Sequence, residues 1–129
     1  MQYLYGSGEA AAISVQAWRG LVGYVAQQVK SRPAKSVLLT PSLPLDQAQF
    51  RDCGTDPMAV VLDVDETVLL NLGFEYDAAL HPGPYDPARW TAWEESGSDK
   101  VAAVPGAAKA LAVIRSMGVA VIFNSNRSA

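Results

Sequence analysis

One cysteine and one histidine stand among 129 residues, and these two scarcities remove whole classes of chemistry. A lone Cys53 leaves no intrachain disulfide and no cysteine-based zinc site, so the chain carries no mark of a redox compartment. A lone His81, set in the stretch HPGP, removes His-rich metal sites and makes any serine triad depend on a residue among prolines and glycines. Charge of one sign is scarce too. Ten basic and thirteen acidic side chains give a formal net charge of −3, which offers no broad footprint for nucleic acid or an anionic membrane, so any anionic ligand must be held by a local device. No apolar run approaches the ~20 residues of a membrane span. The opening MQYLYGSGEA lacks both the basic and the apolar region of an export signal. The chain reads as soluble and without an address.

What is present suffices for a core. Half the residues are apolar, which excludes general disorder and lets one unit bury roughly two-thirds of its unfolded surface. The pattern divides the chain into three stretches. In 1–32, Ala10, Ile13, Ala17, Leu21, Tyr24 or Val25, and Val29 recur at three-and-four spacing, an amphipathic helix with Ser7 as N-cap and Glu9 in its acid-favouring first turn. Ser31-Arg32-Pro33 disfavours its continuation. In 33–57, Pro33, Pro41, Pro44 and Pro57 mark a linker or surface excursion with at most a short strand at 37–39, which isolates the helix from the rest of the chain. Residues 58–129 hold the remaining order.

There, MAVVL at 58–62 and VAVIF at 119–123 are continuous apolar runs that suit strands buried on both faces of a parallel sheet. Between them an irregular segment leads to a short helix capped by Asp86 and opened by Pro87, with Trp90 and Trp93 on one face and Ser96-Gly97-Ser98 as its stop. A second helix opens at Pro105 and stops at Gly118. Strand, crossover helix and strand make a βαβ unit, and the fold class is α/β.

Parallel sheets bind ligands beyond the C-terminal ends of their strands, and here both ends are polar. Asp63 follows its strand directly, with the fixed backbone and ionised carboxylate of an oxygen nucleophile. Asp65 reaches the same crevice; two acids so close call for a cation between them or a shared proton, and the cation case suggests Mg²⁺. Ser125 offers a hydroxyl to a phosphoryl oxygen, and Arg127 a planar fork for phosphate or for stacking on a ring. Plainer readings stand beside these. The two acids could cap a turn, Ser125-Asn126 could end a strand, and Trp90 and Trp93 could be core. Glu66 reads as a solvated turn residue, Gly73 as a turn glycine or hinge, and Cys53 as an incidental loop thiol.

VVLDVDETVL resembles motif I of the haloacid dehalogenase (HAD) superfamily of phosphotransferases, and VIFNSNR resembles its motif II. The SGE helix, the DVDET string, the Trp-x-x-Trp pair, the PGA helix start and the Asn-Arg pair are similar to those of class C acid phosphatases, the group of bacterial lipoprotein e. The likeness covers residues 3–30 and 58–129; 33–57 has no counterpart in it. It implies a HAD-like Rossmannoid parallel sheet, cut after its second core strand and preceded by the N-terminal helix. It also implies Mg²⁺-dependent hydrolysis of phosphomonoesters through an aspartyl-phosphate. In that scheme Asp63 is the nucleophile and a metal ligand. Asp65 is the acid and base, with its backbone carbonyl on the metal, and Ser125 holds a phosphoryl oxygen with Asn126 and Arg127 beside it at the substrate. Trp90 borders the pocket, and the substrate is a small phosphomonoester, aromatic or a nucleoside monophosphate.

The superfamily's motif III lysine and motif IV acidic pair have no counterpart before the last residue, so the expectation is an N-terminal portion with an incomplete site. The alternative is an inactive remnant that binds phosphate or a partner. The family is usually exported, often as lipoproteins, which implies a periplasmic or exported relative; a homo-oligomer that completes the site is the remaining expectation.

Overall fold

A computed structural model describes residues 3, 6–97 and 99–127; residues 1, 2, 4 and 5 of the opening segment, Ser98 of the expected helix stop and 128–129 lie outside the described residues. Helix α1 spans Gly8–Ser31, and Ser7 caps it by accepting a hydrogen bond from the Ala10 N–H at 3.0 Å. Its buried stripe keeps Leu21, Val25 and Val29 of the expected one and departs from it at Ile13 and Tyr24. Trp18 and Val25 are buried and Leu21, Val22 and Val29 pack against the core, whereas Ile13 and Tyr24 are each 55% exposed. A three-and-four pattern can be read one residue out of phase, and Trp18, the largest apolar side chain on the helix, sets the face.

Where a linker with one short strand was expected, the chain forms a hairpin of β1, Lys35–Leu39, and β2, Phe50–Asp52, paired antiparallel around a 3₁₀ turn at Leu45–Gln47. The hairpin leaves Val37, Leu38, Leu45 and Phe50 exposed. Nor is the helix isolated. It packs on α4, Ala107–Ser116, through Trp18, Ala107, Ala110 and Leu111 on one side and Val25 and Ile114 on the other. The Ser14 hydroxyl adds a hydrogen bond to the Pro105 carbonyl at 3.0 Å. Pro105 precedes the helix rather than opening it: Gly106, at φ +92°, is the N-cap, and a Cβ there would sit 3.2 Å from the Val15 Cα. Only glycine allows both that backbone and that approach of α1.

The expected parallel pairing is present. β3, Ala59–Leu62, runs beside β6, Ala120–Phe123, in register Leu62 to Phe123, and the Asn124 N–H donates to the Leu62 carbonyl at 2.8 Å. Burial on both faces is not. Val60, Leu62 and Val121 face α1 and α4, while Val61 and Ile122 are exposed at 57% and 49%. Helices cover one face alone among the described residues, so the apolar alternation is half satisfied. Val119, just before β6, is buried beside Ile114.

The segment read as irregular holds β4, Leu69–Leu70, and a nine-residue helix α2, Leu72–Leu80. No residue of α2 is buried, so no hydrophobic stripe announces it. Helix α3, Pro87–Ser96, starts as expected, with Asp86 accepting from the Ala88 N–H at 2.9 Å. β5, Ala102–Ala103, pairs antiparallel with β4. The whole is α/β, with four helices and three two-stranded sheets among the described residues.

Candidate active site

The turn after β3 decides where the acids point. The Val64 carbonyl accepts from the N–H groups of Thr67, Val68 and Leu69, and the Glu66 N–H donates to the Leu69 carbonyl at 2.7 Å. Closing the chain so tightly puts Glu66 at φ +55°, a left-handed conformation that costs a non-glycine residue about 1 kcal/mol or more. The turn brings the Thr67 hydroxyl back onto Asp63, where it donates to Oδ2 at 3.0 Å. Asp63 itself is exposed at the sheet edge.

Asp65 is held from the opposite strand. Arg127, carried beyond β6, donates to its Oδ1 through Nε at 3.0 Å and through Nη2 at 2.5 Å. A third donor, Asn71 Nδ2, reaches the same oxygen at 2.8 Å. Three donors on Oδ1 leave Oδ2 without a hydrogen bond among the described residues, just as Thr67 occupies one oxygen of Asp63 and leaves Oδ1 open. Each acid is therefore anchored at one oxygen and accessible at the other.

Arg127 also lies over the Trp90 ring, 5.5 Å from its centroid, and Trp90 meets Phe74 of α2 edge-on at 4.9 Å. A guanidinium fixed between a carboxylate and a π-face is less free to reorient than one in water. Ser125 accepts the Arg127 N–H at 3.1 Å, which shapes the turn after β6. Asn126 is exposed. The structure thus joins Asp65, Arg127 and Trp90 by direct contact, with Ser125 one backbone hydrogen bond away and Asp63 on the neighbouring strand end.

Two residues outside the expected set belong to this network. Asn71, 0% exposed, binds Asp65, Glu66, Arg127 and Trp93. Glu66, read from sequence as a solvated turn residue, accepts the Asn71 N–H at 2.8 Å and its Nδ2 at 3.1 Å. Gly73, read as a turn or hinge, lies inside α2; a Cβ there would stand 2.6 Å from Trp93 Cη2, and one at Gly97 2.6 Å from Trp93 Cδ2. Two glycines make the slot for one indole. Only the asparagine in the middle of an apolar stretch, LLNLGF, gave a hint in the sequence: a buried amide must be satisfied.

The donor set can be tested against a metal ion. Among the described residues no group of three or more His, Cys, Asp or Glu is placed to hold one, and no cation pairs with Asp63. The Asp65 carboxylate is committed to Arg127 and Asn71. What remains is Asp63 Oδ2, which keeps a lone pair beside its hydrogen bond from Thr67, and the Asp65 backbone carbonyl, with the open Oδ1 of Asp63 left to face a substrate. Two oxygens do not make an all-protein cage, but they fit Mg²⁺, which keeps several waters and takes further oxygens from a substrate phosphate.

A family profile described as HAD superfamily, subfamily IIIB (acid phosphatase), matches residues 11–129. The chain belongs to this family. Its match runs through the hairpin at 33–57 as well as through both strand ends, so the segment without an expected counterpart lies within the matched length. No curated protein matches the chain. Membership makes it an HAD acid phosphatase by family, one whose kind acts on phosphate esters. No helix among the described residues is long and apolar enough to cross a membrane.

Proposed function

We propose that this acid phosphatase follows the class C pattern and hydrolyses small phosphomonoesters through a phosphorylated Asp63, with Mg²⁺ as cofactor. The observation that carries this reading is the asymmetry of the two carboxylates: each has one oxygen hydrogen-bonded and one open. The open oxygen of Asp63 forms a bond to phosphorus as the bond to the leaving oxygen breaks. The open Oδ2 of Asp65 delivers a proton to that leaving oxygen, then takes one from the water that cleaves the aspartyl-phosphate. Phosphoryl transfer asks for positioning and charge neutralisation more than for covalent novelty.

Asp63 and the Asp65 carbonyl would hold Mg²⁺, which supplies charge stabilisation for the phosphoryl oxygens when bound. Ser125 and Asn126 border the strand end where those oxygens would lie, and Arg127 and Trp90 form the adjoining wall. Trp90 presents a ring suited to an aromatic or nucleoside leaving group. The domain reading proposed is an N-terminal part, 1–32, whose helix α1 serves as one wall of the core, a hairpin excursion at 33–57, and the catalytic part at 58–129.

A second reading has its own observation. Among the described residues no cation compensates Asp63 and no third acid joins the pair, an arrangement that could bind phosphate or a partner without turning it over. Hydrolysis of p-nitrophenyl phosphate by the chain, with and without Mg²⁺, beside Asp63→Asn, separates the two. Mg²⁺-dependent turnover that disappears in the variant supports the phosphatase. Folded protein without turnover, whose phosphate binding survives or tightens in Asp63→Asn as one negative charge is removed, supports the binding reading.

A further inference from the structure

Asn71 is 0% exposed, with α2 beginning at the next residue and α3 packed over it through Trp93. Every hydrogen-bonding position of its side chain is used. Oδ1 accepts from Trp93 Nε1 at 2.9 Å and from Arg127 Nη2 at 2.7 Å; Nδ2 donates to Asp65 Oδ1 at 2.8 Å and to Glu66 Oε2 at 3.1 Å. The chemistry of the partners fixes which end is oxygen. An indole N–H and a guanidinium can only donate, and two carboxylates can only accept, so the amide has one orientation in which all four contacts are favourable.

No other side chain of this size does the same. An aspartate would satisfy Trp93 and Arg127 but turn an oxygen toward each of two carboxylates. A serine reaches too few partners, and a leucine would take a hydrogen bond from all four. The support continues outward. Trp93 is seated between Gly73 and Gly97, each so close that a Cβ would overlap the ring. Its N–H is thereby fixed in position, and Asn71 passes that rigidity to the Asp65 carboxylate and the Arg127 guanidinium.

We infer that Asn71 is a positioning residue which, braced by Trp93, holds the Asp65 carboxylate and the Arg127 guanidinium in one arrangement, leaving Asp65 Oδ2 alone free for proton transfer. This rests on the assignment of Asp65 as the acid and base. Asn71 touches neither substrate nor the reacting atoms; it acts through Asp65 and Arg127. Removing it leaves Asp63, Ser125 and the Trp90 ring in place but lets the Asp65 carboxylate and the Arg127 guanidinium wander. The loss therefore falls on kcat rather than on KM.

The test uses the full chain, p-nitrophenyl phosphate with Mg²⁺, and two variants. Asn71→Ser removes the amide, and Trp93→Phe keeps a ring in the slot while deleting the N–H that Asn71 accepts. Two readouts are taken: kcat and KM per folded molecule, and hydrogen exchange at Arg127 Nε–H by NMR, its signal assigned by its loss in Arg127→Lys. Asn71→Ser is expected to lower kcat about 10- to 100-fold with KM little changed, the usual effect of removing an outer support of an active site. Trp93→Phe is expected to lower kcat a few-fold, and exchange at Arg127 should accelerate in both.

Unchanged kcat and unchanged Arg127 exchange in folded variants would overturn the inference and leave Asn71 a structural residue only. Should Asn71→Ser fail to fold, Trp93→Phe carries the same two readouts. Should the parent chain hydrolyse nothing, or Asp63→Asn retain its turnover, the phosphatase reading fails by itself. The exchange measurement then still decides whether Asn71 holds Arg127.

Discussion

Gly73→Ala inverts an ordinary rule. Alanine replacing glycine inside a helix normally stabilises it by roughly 0.5–1 kcal/mol, because the unfolded chain loses freedom. At Gly23 in α1, where a Cβ meets nothing within 4 Å, that gain should appear in full. At Gly73 the added methyl would lie 2.6 Å from Trp93 Cη2 and 2.7 Å from Cζ3, about 1 Å inside contact distance. The indole cannot swing clear: Gly97 confines it on the other flank and Asn71 holds its N–H at 2.9 Å. Either α2 shifts outward or the ring leaves its slot, and overpacking of this kind costs about 1–3 kcal/mol. Setting the helix gain against that cost leaves a net loss of up to about 2.5 kcal/mol, about 1 kcal/mol at the middle of both ranges. Circular dichroism melts of the parent, Gly73→Ala and Gly23→Ala should therefore place the two variants on opposite sides of the parent, a few degrees away in each direction. Stabilisation of Gly73→Ala by the same amount as Gly23→Ala would refute the slot and, with it, the brace on Asn71.

Ile114, 0% exposed where α4 meets α1 and the sheet, should cost about 2–5 kcal/mol when cut to alanine, read as a lowered midpoint in urea at unchanged slope. Ser7→Ala removes the acceptor for the Ala10 N–H and should cost about 1 kcal/mol, whereas Ser7→Asp should restore it. Asp77 titrates in a predictable direction. Its hydrogen bond from the Arg89 guanidinium, with His81 adding to it, holds the carboxyl below its ordinary value of 3.8. A carboxyl lowered on folding contributes stability above its unfolded value and loses it as pH falls through the folded one. An NMR titration of Asp77 should show a midpoint that rises toward 3.8 in Arg89→Ala.

The parts of the fold legible in the sequence are those that hydropathy and local caps encode. Ser7 and Asp86 cap the helices they were read to cap, and the two apolar runs pair in parallel with their polar ends together. Hydropathy misled where burial is one-sided or absent. Val61 and Ile122 are as apolar as Val60 and Val121 yet face outward, because helices cover one side of the pair among the described residues. Helix α2 was invisible since none of its residues is buried. What holds its neighbourhood together is the Phe74 contact with Trp90 and the Asp77 contact with Arg89, both with α3.

The site was legible to the same degree and for the same reason. Asp63 and Asp65 announce themselves by following a strand, and Arg127 by ending one, since placement after an apolar run is a one-dimensional property. Asn71 and Glu66 do not. Their role arises from a left-handed turn at Glu66 that folds the chain back on itself, and from an indole delivered by a separate helix. A buried amide inside an apolar run is itself an informative departure: without four partners it would cost several kcal/mol, so its presence requires that partners exist. Sequence alone could have demanded the partners, and the fold was needed to name them. The same reasoning explains why Gly73 reads as a hinge and acts as a wall. Its lack of a side chain serves the ring beside it rather than its own backbone. The geometry of Asp65 therefore depends on residues chosen for being absent or fully satisfied, and a substitution at Gly73 or Gly97, neither in contact with Asp65, should reach it through Trp93 and Asn71.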